Sequence, residues 1–252
     1  MNFKFIHLYG AAESAGVEIN QVASELERYF PYSPIDIRPA VLGSHSLSPY
    51  LQSCLDRAAV IDTKKPFESQ PRERAGQHGI QMYDGWQLLR TLGSLLSDSE
   101  PSPEHLHIII SDMLVLTFDE DDYRYHARSV LCSIPSLVSI PGIIDGPARP
   151  REYYFDLLRG SSQQDAEGKI RGRFLSVGDS RLDAVAAGMA LQAVFYSLLD
   201  GEPFCLNSNC RLFNAHWQEE LIHAQLISKS LCTYHSGVLA TYNAIAALFE
   251  KQ

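Results

Sequence analysis

Residues 179–210 read DSRLDAVAAGMALQAVFYSLLDGEPFCLNSNC, and this stretch decides the fold. Asp179 or Ser180 can cap a helix over 181–200, because a short oxygen-bearing side chain accepts from the free N–H groups of a first turn. Gly201 stands where a left-handed C-terminal cap belongs. Between the caps, residues 182–199 are apolar on nearly every face, interrupted mainly by Asp183, Gln192 and Ser197. A helix without a polar side is a buried one. It has no 18 uninterrupted apolar residues, so it reads as a core helix and not a membrane span.

Outward from this helix, strands and helices alternate. Residues 3–9 read as a strand broken by Gly10, residues 17–30 as a helix stopped by Pro31, and residues 34–39 as a short strand. Asp84 can cap a helix over 85–96, and residues 105–111 (HLHIIIS) form a strand. Residues 115–118 add a short apolar run, and 123–131 can be a further strand. Residues 135–144, punctuated by Pro and Gly, suggest an edge strand. Residues 150–158 should be helical and 160–173 a polar loop, and a last helix should span 215–230. Residues 97–103 read as a linker, and the polar stretch 62–81 as a mobile surface insertion. The expected class is α/β (α+β) with a mixed sheet, in a single domain over 1–252.

Composition sets outer limits. The chain has 252 residues, and its 45% hydrophobic content suffices for a core. Its formal net charge of −9 argues against nucleic-acid or acidic-membrane partners, because phosphate contacts need a basic face. The first ten residues are too short and strand-like for a signal peptide, so a cytoplasmic protein is expected.

Of five cysteines, three crowd into the last fifth of the chain. Cys205 and Cys210 form a C-x4-C pair, and Cys232 with His235 a C-x2-H pair. Three soft thiolates and one imidazole in two short chelating pairs suit one structural Zn2+ per chain. Such a site can contribute about 10–16 kcal/mol to folding in small zinc modules. The alternatives are buried thiols beside a surface histidine, or a Cys205–Cys210 disulfide in an oxidising compartment. Cys54 and Cys132 read as core residues.

The run Phe204-Cys205-x4-Cys210 … Cys232-x2-His235, set just after a long helix ending in glycine, resembles the archaemetzincins. These are zinc-dependent, metzincin-like metallopeptidases with the motif H-E-x-x-H-x-x-G-x-x-H-C-x4-C and a later C-x2-C pair. The resemblance implies a metzincin-like mixed sheet, a long active-site-type helix and a C-terminal helical zinc-bound segment. In that register the glycine falls on Gly201 and the late pair on Cys232 and His235. The three catalytic histidines fall on Val194, Leu198 and Phe204, and the general base on Phe195. None of these can ligate zinc or take a proton from water. No H-E-x-x-H occurs anywhere in the chain, which argues against classical zinc peptidase activity. The closer likeness is to an uncharacterised archaeal group of metallopeptidase-like proteins. It rests on 118–128, 149–154 and 214–219 and covers most of 80–240.

Two other groups could carry chemistry. His216, Glu219, Glu220 and His223 would share one face of the 215–230 helix, within roughly 100°. They could hold a second metal or run acid–base chemistry, or be a solvated polar face. Arg124, His126 and Arg128 would project from one face of a strand and could bind an anion, or pair with Asp119–Asp122 just before them. No GxGxxG, Walker A, GxSxG or CxxC motif is present. Two readings follow. One is a zinc-binding pseudoenzyme with a binding or regulatory role, its partner an unidentified protein or a small anionic ligand. The other is a metal-dependent hydrolase with a relocated site among His126, Arg128, His216, Glu219, Glu220 and His223.

Overall fold

The computed structural model describes residues 3–10, 16–42, 48–70, 81–96, 100 and 104–249. The element order is β1 (Phe5–Tyr9), α1 (Ile19–Tyr29), β2 (Ile35–Arg38), α2 (Pro49–Ala58), β3 (Ala59–Val60), β4 (Met82–Asp84) and α3 (Gly85–Gly93). Next come β5 (His105–Ser111), β6 (Leu114–Asp119), β7 (Arg124–Ala127), β8 (Val130–Leu131), β9 (Ser136–Ser139) and α4 (Ile140–Asp145). The chain continues through α5 (Arg151–Leu158), α6 (Gln163–Lys169), α7 (Leu182–Leu198), α8 (Gln218–Ile222), a π-helical turn (His223–Ser228) and α9 (Thr233–Phe249). The fold is α+β with two mixed sheets.

The larger sheet has the order β2-β1-β5-β9-β8, parallel except for β8, which runs antiparallel to β9. The smaller has the order β3-β4-β6-β7. Strand alternation sorts the larger sheet's two faces. Ile6, Leu8, Leu106, Ile108 and Ile110 point into the main core, where they join Val22 and Leu26 of α1 and most of α7. Tyr9 and Ile109 face the other way, into a second cluster with Leu55 of α2 and Leu88, Leu89 and Leu92 of α3. Helix α7 is buried from Val185 through Phe195, as its unbroken apolar surface requires.

Several elements differ from expectation. Ser136–Ser139 is an inner strand between β5 and β8, fully buried, not an edge. Pro135 precedes it, so its missing N–H costs no ladder bond. Residues 140–145 turn helical instead, capped by the Ser139 hydroxyl, which accepts from Gly142 N at 2.9 Å. The strand over 123–131 divides: β7 joins the smaller sheet and β8 the larger. The polar stretch 160–173 contains α6, started by Ser162 accepting from Asp165 N. Helix α2 starts on a Ser48 cap with Pro at the first turn, a signal present in the sequence but not read there. Residues 71–80 of the expected 62–81 insertion, and all of the 97–103 linker but Glu100, lie outside the described residues.

The expected 215–230 helix begins later and changes form. The Glu220 carboxylate accepts from the N–H groups of His216 and Trp217 at 2.9 and 3.1 Å, which fixes the start at Gln218. After Ile222 the chain widens into the π-helical turn, which ends at Lys229 with φ 50°. Among the described residues no helix is long and apolar enough to cross a membrane.

Candidate metal centre

Three short segments converge beside the C-terminal end of α7. The loop after α7 supplies Cys205 and Cys210, the turn before α9 supplies Cys232, and the first turn of α9 supplies His235. Isolated bridges from Cys205 to Phe213 and from Cys210 to Ser230 hold the segments together. One ligand atom from each of the four residues lies within 4.8 Å of all the others. Cys205 Sγ is 3.9 Å from Cys232 Sγ. His235 Nδ1 is 3.5 Å from Cys210 Sγ and 3.2 Å from Cys232 Sγ. A zinc ion with thiolate bonds of about 2.3 Å and imidazole bonds of about 2.0 Å sets tetrahedron edges of about 3.5–3.8 Å. The spacings fit that ion. All five cysteines are free, so no Cys205–Cys210 disulfide forms.

The surroundings are those of a closed site. Burial pushes the Cys210 thiol up to about 12, and burial lowers the His235 imidazole below its ordinary value. Cys232 moves the other way: burial raises it, but the backbone N–H of His235 and contacts from the neighbouring thiols outweigh this, leaving it lowered. Backbone N–H groups of Asn207 and Cys232 reach the sulfurs of Cys205 and Cys210, both at 3.4 Å. Such donors support thiolate charge. Cys232 is partly exposed, whereas Cys210 and His235 are buried.

The positions of the archaemetzincin catalytic set do not form a site. Val194 and Phe195 are wholly buried, Leu198 is partly buried and Phe204 is 36% exposed. The Phe195 ring packs edge-on against His235, centroids 5.6 Å apart, so α7 forms one wall of the cysteine cluster.

The other predicted residues scatter, with one partial exception. The shared helical face of His216, Glu219, Glu220 and His223 is not formed. His216 precedes α8, and Glu220 is occupied as the N-terminal cap. Glu219 pairs with Arg173 at 2.8 Å, and His223 contacts Asn209 at 2.8 Å. His126 and Arg124 both bond the Asp122 carboxylate, as pairing with the preceding acids required. Arg128 donates to Thr117 Oγ1 at 2.6 Å. His126, Arg128 and His216 nonetheless line one polar cavity of about 140 Å³, with Met189 and Gln192 of α7 on its wall. A larger cavity of about 930 Å³, walled by Phe3, Phe30 and Tyr242, is mainly apolar.

One grouping escaped the sequence reading. His7 of β1 and His107 of β5 sit with Glu100 on the face of the larger sheet opposite α7. The signal was present in the alternation FIHLY and HLH, where every second position carries a ring or an imidazole.

No curated protein and no solved structure matches the chain. A family match does cover nearly its whole length: residues 2–242 match the Probable metallopeptidase family (DUF6775), and the chain belongs to that family.

Proposed function

We propose that this chain is a zinc-binding member of its family in which the zinc is structural, and that it acts as a binding or regulatory protein and not by hydrolysing peptides. The observation that carries this is the pairing of four buried or half-buried ligand atoms within 4.8 Å with an adjacent helix that offers no ligand. Bound zinc would supply a fixed tetrahedral clamp joining the 205–210 loop to the start of α9. With four protein ligands no position is left for a nucleophilic water. The likeness to archaemetzincins in the cysteine spacing supports the same division between a kept structural site and a lost catalytic one. The free cysteines fit a cytoplasmic protein in which thiols stay reduced.

A second reading draws on the polar cavity that gathers His126, Arg128 and His216. There an imidazole could exchange protons and Arg128 could hold an anion. The cavity is smaller than the roughly 300 Å³ at which small-molecule pockets begin, and Arg128 and His126 are already partnered. It therefore supports a small anionic ligand better than a peptide substrate.

Metal analysis with an activity assay separates the readings. The purified chain should carry zinc, Cys210→Ser should lose one ion per chain, and no metal-dependent cleavage of a mixed peptide library should appear. Zinc-dependent cleavage that survives Cys210→Ser but vanishes in His216→Ala would overturn the binding-protein reading in favour of a relocated site.

A further inference from the structure

The face of the larger sheet opposite α7 carries a polar cluster that the cysteine centre does not use. Parallel pairing sets His7 directly opposite His107, and their rings stack with centroids 4.9 Å apart. Both are buried, at 4% and 7% exposure. We propose that His7, His107 and Glu100 form a second transition-metal site, with a coordination position left for water or an anion.

Three observations support it. First, one nitrogen from each ring and one Glu100 oxygen lie within 4.8 Å of one another, and Glu100 Oε1 is 4.0 Å from His7 Nε2. Two imidazoles and a carboxylate are a donor set for zinc or another first-row divalent ion.

Second, the outer contacts are those that orient metal-binding histidines. His7 Nδ1 meets the Asp36 carboxylate at 3.2 Å, which leaves Nε2 with the lone pair. His107 is held at both nitrogens, Nδ1 by the Tyr9 hydroxyl at 3.0 Å and Nε2 by the Glu100 carbonyl oxygen at 3.2 Å. Either nitrogen can serve, since the remaining contact still fixes the ring. A ring N–H donated to a carboxylate or carbonyl is the recurring support of a metal-bound imidazole.

Third, the charges leave room for a cation. Arg38 bonds both oxygens of Glu100, at 2.5 and 2.6 Å, and also Asp36 at 2.6 Å. One guanidinium faces two carboxylates, a net charge of −1 beside neutral rings. Burial lowers both histidines below their ordinary value, so the rings present lone pairs. Each Glu100 oxygen has a second lone pair, so the carboxylate can bind a metal while keeping Arg38. His105 Nδ1, 2.8 Å from His7 Nε2, must yield that nitrogen when the metal enters.

The test uses the full, untagged, metal-free chain titrated with Co2+ alone. Cobalt at a thiolate site gives an intense charge-transfer band, and cobalt held by nitrogen and oxygen does not. Two ions per chain are expected, only one of them with that band. His107→Ala should keep the thiolate band, which also reports a folded cysteine centre, and should lose the other ion. Asp36→Asn, at an exposed position, should weaken the second ion about 10–100-fold without touching the band. Asp36→Asn decides the matter if His107→Ala does not fold. A single ion with thiolate character, or a second ion bound equally well by Asp36→Asn and His107→Ala, overturns the proposal. A missing charge-transfer band with the second ion still bound would instead refute the cysteine centre and leave this site standing.

Discussion

Arg211 is the most telling single residue. It follows Cys210, is wholly buried, and bonds Glu25, the Tyr29 hydroxyl at 3.1 Å and the Ala184 carbonyl at 3.0 Å. It thereby fastens the cysteine loop to α1 and α7. Burial alone would raise the Glu25 carboxyl. The hydrogen bond and charge of Arg211, helped by Lys229 and Arg28, reverse this and hold it below its ordinary value. A lowered carboxyl adds stability above its unfolded pKa, about 4.3, and loses it as pH falls through the native value. Glu25→Gln should therefore cost about 3–5 kcal/mol at neutral pH, because it leaves a buried guanidinium without its counter-charge. Urea midpoints measured against pH should show the gap to wild type closing below about pH 4; a gap constant down to pH 2 would refute the ion-pair account. None of this is visible in a single sequence, since Glu25 and Arg211 are far apart along the chain. The cysteine pairs were legible because their spacing is local. His7, Glu100 and His107 were not, because only sheet register brings them together.

At the scale of elements, α7 was legible because apolar residues on every side have only one place to go. Its seat against the π-helical turn was not. A Cβ on Gly188 would lie 1.7 Å from Gln225 Oε1. Gln225 is fully buried, and its Nε2 donates to the Arg211 carbonyl at 2.7 Å while its Oε1 accepts from Arg211 Nε. It cannot swing aside without breaking both bonds. Gly188→Ala gains about 1 kcal/mol of helix propensity. Overpacking a tight core costs about 1–3 kcal/mol, and the disturbed hydrogen bonds add roughly 1 kcal/mol each. The second effect should win, giving a net loss of about 2–4 kcal/mol in chemical denaturation; a stabilised variant would mean that Gln225 has freedom these contacts deny. Strand β9 was misplaced for a related reason. Gly142 reads as punctuation, but it lets α4 approach the connection between β7 and β8: a Cβ there would sit 1.9 Å from the Arg128 carbonyl oxygen. Close approach and turn formation leave the same mark in sequence.

On the scale of the whole molecule, α9 lies beyond the last helix expected from sequence, at 215–230, and is held at two places. Its first turn carries His235 of the cysteine centre. Farther along, the buried Tyr242 hydroxyl donates to the Phe3 carbonyl at 3.0 Å and meets Ser33 Oγ at 2.6 Å, while Asn243 donates to the Tyr29 carbonyl at 2.8 Å. The Tyr242 ring stacks on Phe3, centroids 4.6 Å apart. In small zinc fingers the metal term is folding itself, because little else is buried. Here the main core gathers residues from Phe3 to Tyr242, and although Cys205 and Cys210 belong to it, most of its members lie on α1, α7 and the larger sheet. Chelation should therefore loosen one end of a helix and leave the sheet intact. Hydrogen exchange followed by mass spectrometry should show faster exchange over 205–210 and 230–237, with β1, β5 and α7 unchanged. Tyr242→Phe alone should cost about 1–2 kcal/mol, because it strands a buried carbonyl and a buried serine hydroxyl. Combined with chelation, it should release α9 along its whole length, an effect larger than the sum of the two. Uniform loss of protection through the sheet on chelation would show that the metal holds the whole fold. No change over 230–237 would show that the cysteines do not hold the metal at all.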